Sequence, residues 1–373
     1  MEKKHIDDLV SLIREAYSTK KVGLHEPRFI GKEKKNLIET IDSTFVSSAG
    51  ENINLFEKKI SGITRSKYAI STSSGTAALH SALIAVGCDF NSEVITQSLS
   101  FVAACNAIKY CGSHPIFIDV DKHSFGLSPV KLEKFLKENA EIRRDHLCWN
   151  KNTNRIIRAC IPMHTFGFMM EIDKIKKICR KFNIKLIEDA AEALGSFYKG
   201  KHAGTFGDIG IISFNGNKII TTGAGGMILT NNKKYADKLK HLTTTAKRSN
   251  SWHYIHDLVG YNYRMPNLCA SLGLAQLESL PFFLKDKKKL AKKYYQWGKE
   301  NDFNFLREIS DCNPNYWLNT IILNNKFERD KLLEETNKKG IITRPVWTPM
   351  HKLRMYKTCQ RENMFNTNWI FER

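Results

Sequence analysis

The chain has 373 residues, 42% of them hydrophobic and 26% charged, a globular composition that excludes wholesale disorder and leaves room for one large domain with a smaller companion. Its 58 Lys and Arg against 38 Asp and Glu give a net charge of +20, but the lysines fall in short runs mixed with carboxylates. With no zinc-finger, RNP-like or recognition-helix pattern beside them, they predict a solvated surface biased toward anionic small ligands and no nucleic-acid partner. No stretch approaches the ~20 apolar residues of a membrane helix, and the charged N-terminus lacks an apolar signal core. The nine cysteines form no Cys-x-x-Cys pair, so a cytoplasmic chain without membrane partner or metal site is expected.

In chain order, residues 1–50 form a polar N-terminal segment with helical patches, broken by the turn-rich Gly23-Leu24-His25-Glu26-Pro27. Residues 51–280 alternate strand-like and helix-like stretches, the pattern of an α/β layer structure with a mostly parallel sheet. The expected strands are Lys67–Ile70, Glu93–Thr96, Pro115–Asp119, Arg155–Ile161, Lys185–Glu188, Ile209–Phe214 and Met227–Thr230. Helices are expected between them at Gly75–Val86, Val130–Asn139 and Ile172–Phe182. Residues 281–373 read as a small α+β domain: a Lys-rich helix over Leu284–Asn301, a strand at Trp317–Leu323, a helix over Arg329–Lys339 and a strand at Ile341–Val346.

Three stretches carry chemistry. After the strand ending at Ile70 come Ser71-Thr72-Ser73-Ser74-Gly75-Thr76 and then a helix. Such a turn presents backbone N–H groups at a positive helix end, a ready phosphate site, although Ser and Thr also serve as plain caps. Glu188 and Asp189 close an apolar strand, where ligands of parallel sheets gather; a carboxylate there holds a cationic ring nitrogen, a metal or a helix start. Lys218 stands alone among small polar and glycine residues, Ser213-Phe214-Asn215-Gly216-Asn217 before it and Gly223-Ala224-Gly225-Gly226 after it. A lysine so placed can form a Schiff base with an aldehyde. Phosphate cradle, ring-nitrogen carboxylate and Schiff-base lysine together are the protein parts of a pyridoxal phosphate enzyme.

These motifs, with Gln97–Asn106, Pro115–Asp119, Ile161–Gly167, Ile187–Glu192, Gly207-Asp208 and Gly260–Pro266, resemble the DegT/DnrJ/StrS family of pyridoxal-phosphate sugar aminotransferases from about Leu24 to the C-terminus. His25-Glu26-Pro27-Arg28-Phe29 and Asp42–Ser48 look like its LegC branch. The resemblance implies the type I (aspartate aminotransferase) fold, pyridoxal 5'-phosphate as cofactor, and a homodimer with its site at the subunit interface. It implies Lys218 as Schiff-base lysine and acid/base, Asp189 on the pyridine nitrogen, and Phe101 stacked on the ring. Gly75, Thr76 and Ser213 would hold the phosphate, Asn262 would reach it from the other subunit, and Glu192 would approach the phenolic oxygen. His164, Arg344 and His351 are assigned to the sugar-nucleotide pocket.

The implied reaction takes an amino group from L-glutamate to the 4-keto carbon of a nucleotide-linked 4-keto-6-deoxy-N-acetylhexosamine. A UDP-4-amino-4,6-dideoxy-N-acetylglucosamine is the favoured product, for legionaminic-acid-type or other surface-polysaccharide sugars. The rivals are a GDP-4-keto-6-deoxymannose (GDP-perosamine) aminotransferase, a sugar dehydratase, which the retained Lys218 disfavours, and a regulatory protein that binds the cofactor without turnover. Members of the family continue past the equivalent of Asn368–Arg373 through a short apolar segment, so looser packing of the small domain is expected here.

Overall fold

The structure, a computed structural model, describes residues 1–248 and 252–373. Its centre is a nine-stranded sheet. Seven strands form the main path: β1 (Tyr68–Thr72), β2 (Ser92–Gln97), β3 (His114–Ile118), β4 (Ile156–Ile161), β5 (Lys185–Asp189), β6 (Ile209–Ser213) and β7 (Gly226–Thr230). Their spatial order is β1-β7-β6-β5-β4-β2-β3. Pairing is parallel from β6 through β5, β4 and β2 to β3, and only β7 runs against its neighbours β6 and β1. The expected α/β fold with a mostly parallel sheet is therefore present, and each of the seven expected strands forms.

Both faces are covered, which is why these strands read as apolar runs rather than alternations. One face packs on α4 (Gly75–Ala85), α5 (Val102–Tyr110) and α8 (Lys233–Thr243) through Ile70, Val94, Ile161, Ile187, Ile211 and Ile228. The other packs on α6 (Pro129–Asn139) and α7 (Ile172–Lys181) through Ile95, Ile157, Cys160 and Leu186. Toward β6 and β7 this second face is completed by α3 (Glu51–Thr64) and α9 (Asn267–Glu300), which meet Ile212, Met227 and Leu229. Helix α7 shows how local sequence sets such a face: it buries Ile172, Ile175, Ile178 and Cys179, one stripe at helical spacing, and turns its lysines outward.

Helix α9 runs 34 residues with Pro281 inside it, so the expected boundary at 280/281 lies within one helix that carries the chain from the sheet to the C-terminal elements. The N-terminal segment divides between these regions. Helix α1 (Lys3–Tyr17) packs Ile6, Leu9, Val10 and Ile13 with Trp297, Phe305, Leu323, Leu332 of α10 (Lys326–Lys338) and Ile341, whereas α2 (Glu33–Asp42) lies on α9.

The C-terminal strands are shorter than the sequence suggests. Trp317–Leu323 keeps only Ile321–Ile322, paired with Asn304–Phe305, and Ile341–Val346 keeps a single bridge from Ile341 to Val22. Side chains take the backbone groups that a ladder would use: Trp317 N–H donates to Asn315 Oδ1 at 2.9 Å, and Trp317 C=O accepts from Lys287 Nζ at 3.0 Å. Pro345 removes a further donor from the second run. A last helix, α11 (Phe365–Phe371), is tied to the sheet by Asp119, which accepts from Asn366 N (2.8 Å), Thr367 N (2.8 Å) and Thr367 Oγ1 (2.7 Å). No described helix is long and apolar enough to cross a membrane.

Phe56 is fully buried where α3 meets α9 and the sheet, its ring 5.0 Å from that of Phe214 in an edge contact. Phe56→Ala is expected to cost about 3–5 kcal/mol of stability, measured as a lower urea midpoint with an unchanged slope.

Candidate active site

Strands β1, β2, β4, β5 and β6 are mutually parallel, so their C-terminal ends lie along one edge of the sheet, where open α/β sheets collect ligands. Gly75 and Thr76 follow β1, Phe101 follows β2, His164 follows β4, Asp189 closes β5, and Ser213 closes β6 five residues before Lys218.

The cradle forms where α4 starts. Ser74 caps the helix by accepting from Ala77 N at 3.0 Å, and its carbonyl takes Ala78 N at 3.1 Å. The N–H groups of Gly75 and Thr76, in the first turn, are thereby left without an intrahelical acceptor. The helix end also sits very close to the neighbouring strands. A Cβ on Gly75 would press on Ser213 Cβ at 3.1 Å, and one on Gly226 would lie 2.5 Å from Ser74 O. The uncapped N–H groups of this helix start, with Ser213 Oγ 3.3 Å from where a Gly75 Cβ would stand, suit a phosphate group at a positive helix end.

The charged centre lies beside it. Asp189 is 4% exposed and takes an N–H from Ala191 at 3.1 Å. Burial pushes its carboxyl above the usual carboxylate range, offset in part by that N–H and by the fields of Lys218 and His164. Glu192, also 4% exposed, accepts from Phe166 N at 2.8 Å through Oε2 and from Lys218 Nζ at 3.4 Å through Oε1. Its carboxyl too is raised by burial, which outweighs the pull of Lys218 and the Phe166 N–H, while Asp189 adds to the rise. Lys218 Nζ lies 4.0 Å from the centroid of the Trp317 ring. Two buried carboxylates beside one ammonium leave room for a further cation, and the donor set suits the protonated ring nitrogen of a pyridinium at Asp189.

The remaining expected residues fall in different settings. Phe101 caps α5 with its ring 52% exposed over the site edge, 6.4 Å from Trp347. Asn262 is exposed on the segment 260–266, whose Tyr263 carbonyl accepts from Ser73 N at 2.7 Å. Arg344 is exposed and lines a cleft of about 240 Å³ with Phe166, Asn217, Trp317 and Trp347.

His164 and His351 do not face an open pocket. His164 is fully buried; its Nε2 meets Glu188 Oε2 at 3.2 Å, and its backbone N–H donates to Asp189 O at 3.0 Å. His351 shares a buried hydrogen bond with Ser98 Oγ at 2.7 Å, and burial, helped by Arg361 and Lys352, pushes it down to about 4. Both imidazoles are bonded to buried side chains, His164 to Glu188 and His351 to Ser98.

Sequence reasoning missed the frame that holds these groups. Glu188 accepts N–H bonds from Gly204 (3.0 Å), Gly207 (2.6 Å) and Phe206, pinning the loop after β5. Gln97 accepts from Leu127 N (3.0 Å) and Met163 N (3.1 Å) and donates to Leu99 O (2.8 Å), joining three loops at the same edge. Asn315 donates to Glu192 O (2.8 Å) and Leu194 O (2.9 Å), and Trp317 Nε1–H donates to Asn217 O (2.7 Å). An Asn-x-Trp triplet far from every motif gives no sequence signal for this; only the cation-bearing partner, Lys218, was visible.

Unpaired N–H groups at a helix start, a buried carboxylate at a strand end and a lysine at the same sheet edge are a set that a pyridoxal phosphate fits. Comparison with known proteins agrees. The chain matches the DegT/DnrJ/EryC1/StrS aminotransferase family over residues 28–373 and belongs to it. It is 39% identical over 340 residues to the GDP-perosamine synthase of Escherichia coli O157:H7, spanning 90% of this chain and 87% of that one. Against the GDP-perosamine synthase of Vibrio cholerae it is 35% identical over 346 residues, or 92% of this chain and 89% of that one. Helicobacter pylori PseC, an aminotransferase involved in the biosynthesis of pseudoaminic acid, has the same fold, with a TM-score of 0.84 at 24% identity over 94% of this chain and 91% of that one. The chain is a sugar aminotransferase of this family, with pyridoxal phosphate as its cofactor.

The raised carboxyl of Glu192 has a consequence for stability. A carboxyl that binds its proton more tightly when folded favours the folded state while protonated, and that contribution is lost as pH rises through its folded value. Glu192→Gln is therefore expected to match the wild type in thermal melts of the cofactor-free protein near pH 4, and to melt above it by a margin that has grown by pH 8.

Proposed function

We propose that this chain transfers the amino group of L-glutamate to the 4-keto carbon of a nucleotide-linked 4-keto-6-deoxyhexose. The observation that carries this reading is the Lys218 amine 3.4 Å from the buried Glu192, with the buried Asp189 in its field, at the sheet edge that also holds the Gly75–Thr76 helix start. When bound there, pyridoxal phosphate supplies the electron sink that lets an amine move between two carbonyl carbons.

The chain's own residues do the rest. Gly75, Thr76 and Ser213 would hold the phosphate. Asp189 would keep the ring nitrogen protonated, Phe101 would cover one ring face, and Glu192 would meet the phenolic oxygen. Lys218 Nζ would take the proton from the donor's α-carbon and pass it to the cofactor's carbon, and in the second half-reaction would carry a proton the opposite way, onto the sugar carbon. Amino donor and sugar use the same lysine in turn, which makes the kinetics ping-pong.

The cleft bounded by Phe166, Trp317, Trp347 and Arg344 adjoins Asn217, the residue before Lys218, and suits an acceptor with a flat base and a diphosphate. The relatives named GDP-perosamine synthase support a GDP-linked 4-keto-6-deoxymannose as that acceptor. A UDP-linked 4-keto-6-deoxy-N-acetylhexosamine is the second reading, supported by the LegC-like His25–Phe29 and Asp42–Ser48 stretches.

The working unit in this reading is a homodimer, with Asn262 of each protomer reaching toward its partner's cradle. Asn262 is exposed, and the nearby 252–259 segment leaves Trp252 (86%), Tyr254 (83%) and Val259 (83%) in solvent. Apolar groups grouped in this way mark an interface more often than a free surface.

Incubating the purified enzyme with amine-labelled 15N-glutamate and an equimolar mixture of the two 4-keto sugars is expected to label the GDP-sugar first. Faster labelling of the UDP-sugar would select the second reading, and label in neither would refute the reaction. Sedimentation of the same sample is expected to give a dimer.

A further inference from the structure

Trp317 is the residue on which the C-terminal region meets the reactive lysine. Its side chain is 4% exposed. Three hydrogen bonds fix it: its N–H to Asn315 Oδ1 (2.9 Å), its carbonyl from Lys287 Nζ (3.0 Å), and its Nε1–H to Asn217 O (2.7 Å). The last bond matters most, because Asn217 immediately precedes Lys218. One indole therefore holds the backbone at the root of the lysine and, on its ring face, meets the ammonium at the lysine's tip, 4.0 Å from the ring centroid. Phe166 and His25 stand beside the same ring at 6.4 Å and 6.2 Å and limit its tilt.

We propose that Trp317 is a positioning residue for Lys218, its indole face serving as the docking place of the ε-amine whenever that amine is not bonded to the cofactor. In each half-reaction the lysine must be displaced, remain charged or neutral close at hand, and return. A carboxylate alone holds an ammonium through directional hydrogen bonds; the Glu192 contact, at 3.4 Å, is long for such a bond. A π face attracts the cation without claiming one N–H direction, so the amine stays near the reacting carbon and is released at low cost. Lys287, on the far side, is itself a buried amine whose attachment to the Trp317 carbonyl keeps the ring from sliding along its own backbone.

The proposal rests on Lys218 being the reactive lysine of the aminotransferase reading, and its first test needs neither cofactor nor substrate. The cofactor-free protein, reductively methylated with 13C-formaldehyde and borohydride, should show a Lys218 methyl signal displaced upfield by a ring current, alongside those of other lysines that lie over rings, such as Lys122 and Lys247. That signal should disappear in Lys218→Arg and return to the crowd of solvated lysines in Trp317→Leu. In Trp317→Phe, which keeps a smaller π face, it should remain partly displaced.

With cofactor and glutamate, Trp317→Leu is expected to lower kcat about tenfold, the size a desolvated cation–π contact supports, with KM for glutamate unchanged and with most of kcat recovered by Trp317→Phe. A wild-type Lys218 methyl signal without upfield displacement overturns the proposal, and so does a folded Trp317→Leu enzyme that turns over at the wild-type rate. The NMR comparison of wild type with Lys218→Arg decides even if the leucine variant does not fold, and its failure is separable from failure of the reaction itself.

Discussion

Two carboxylates and one ammonium share a space that excludes water, and most of the architecture serves to make that tolerable. Asp189 and Glu192 are raised by burial, and Lys218 offsets only part of their cost. Breaking such a group by removing one partner is expensive, whereas adding a cation and hydrogen-bond donors relieves it. A pyridinium at Asp189, with its phosphate held apart at the start of α4, is a ligand of that kind. The folded chain thus carries a burial cost at these two carboxyls, which a further cation beside them would lower. The start of α4 approaches β7 so closely that a Cβ on Gly226 would lie 2.5 Å from Ser74 O, and a Cβ on Gly75 would press on Ser213 of β6.

The N- and C-terminal elements act on the same centre from outside the sheet. Asn315 holds the backbone of Glu192 and Leu194, and Trp317 holds the backbone before Lys218, so one short stretch braces both sides of the ion pair. Helix α9 carries Lys287 to that stretch, and α1 packs against the far end of α9 and α10. The cleft with Arg344 opens between this frame and the loops after β3 and β4, which contribute Phe125 and Phe166, so Trp317 lines the cleft and meets Lys218 at once.

Much of this was legible in the sequence, for physical reasons. Parallel strands buried on both faces leave continuous apolar runs, so all seven were found, and chemistry at their C-terminal ends follows from the sheet itself. Lys218, Asp189 and the Ser74-Gly75-Thr76 turn stood out in composition from their neighbours, whereas Glu192 and Ser213 were singled out only through the family resemblance. The C-terminal region was less legible. Trp317–Leu323 and Ile341–Val346 are β-like in composition, but Asn315 takes the Trp317 N–H, Lys287 from 30 residues away takes its carbonyl, and Pro345 removes a donor from the second run. The lysines of α9 read as one solvated face, yet Lys287 turns inward, where burial pushes its amine down to about 8. His164 and His351 looked like pocket residues because residue type alone cannot show which way an imidazole points; both are bonded beneath the site.

The central claim is that the start of α4, Asp189 and Lys218 serve a single pyridoxal phosphate. Its most direct test is to load the purified protein with that cofactor, reduce with borohydride and map the modified peptide by mass spectrometry. The account predicts one phosphopyridoxyl group per chain, on Lys218, and its loss from that position in Lys218→Arg. Label on another amine such as Lys287, or no stoichiometric label in the folded protein, would contradict it.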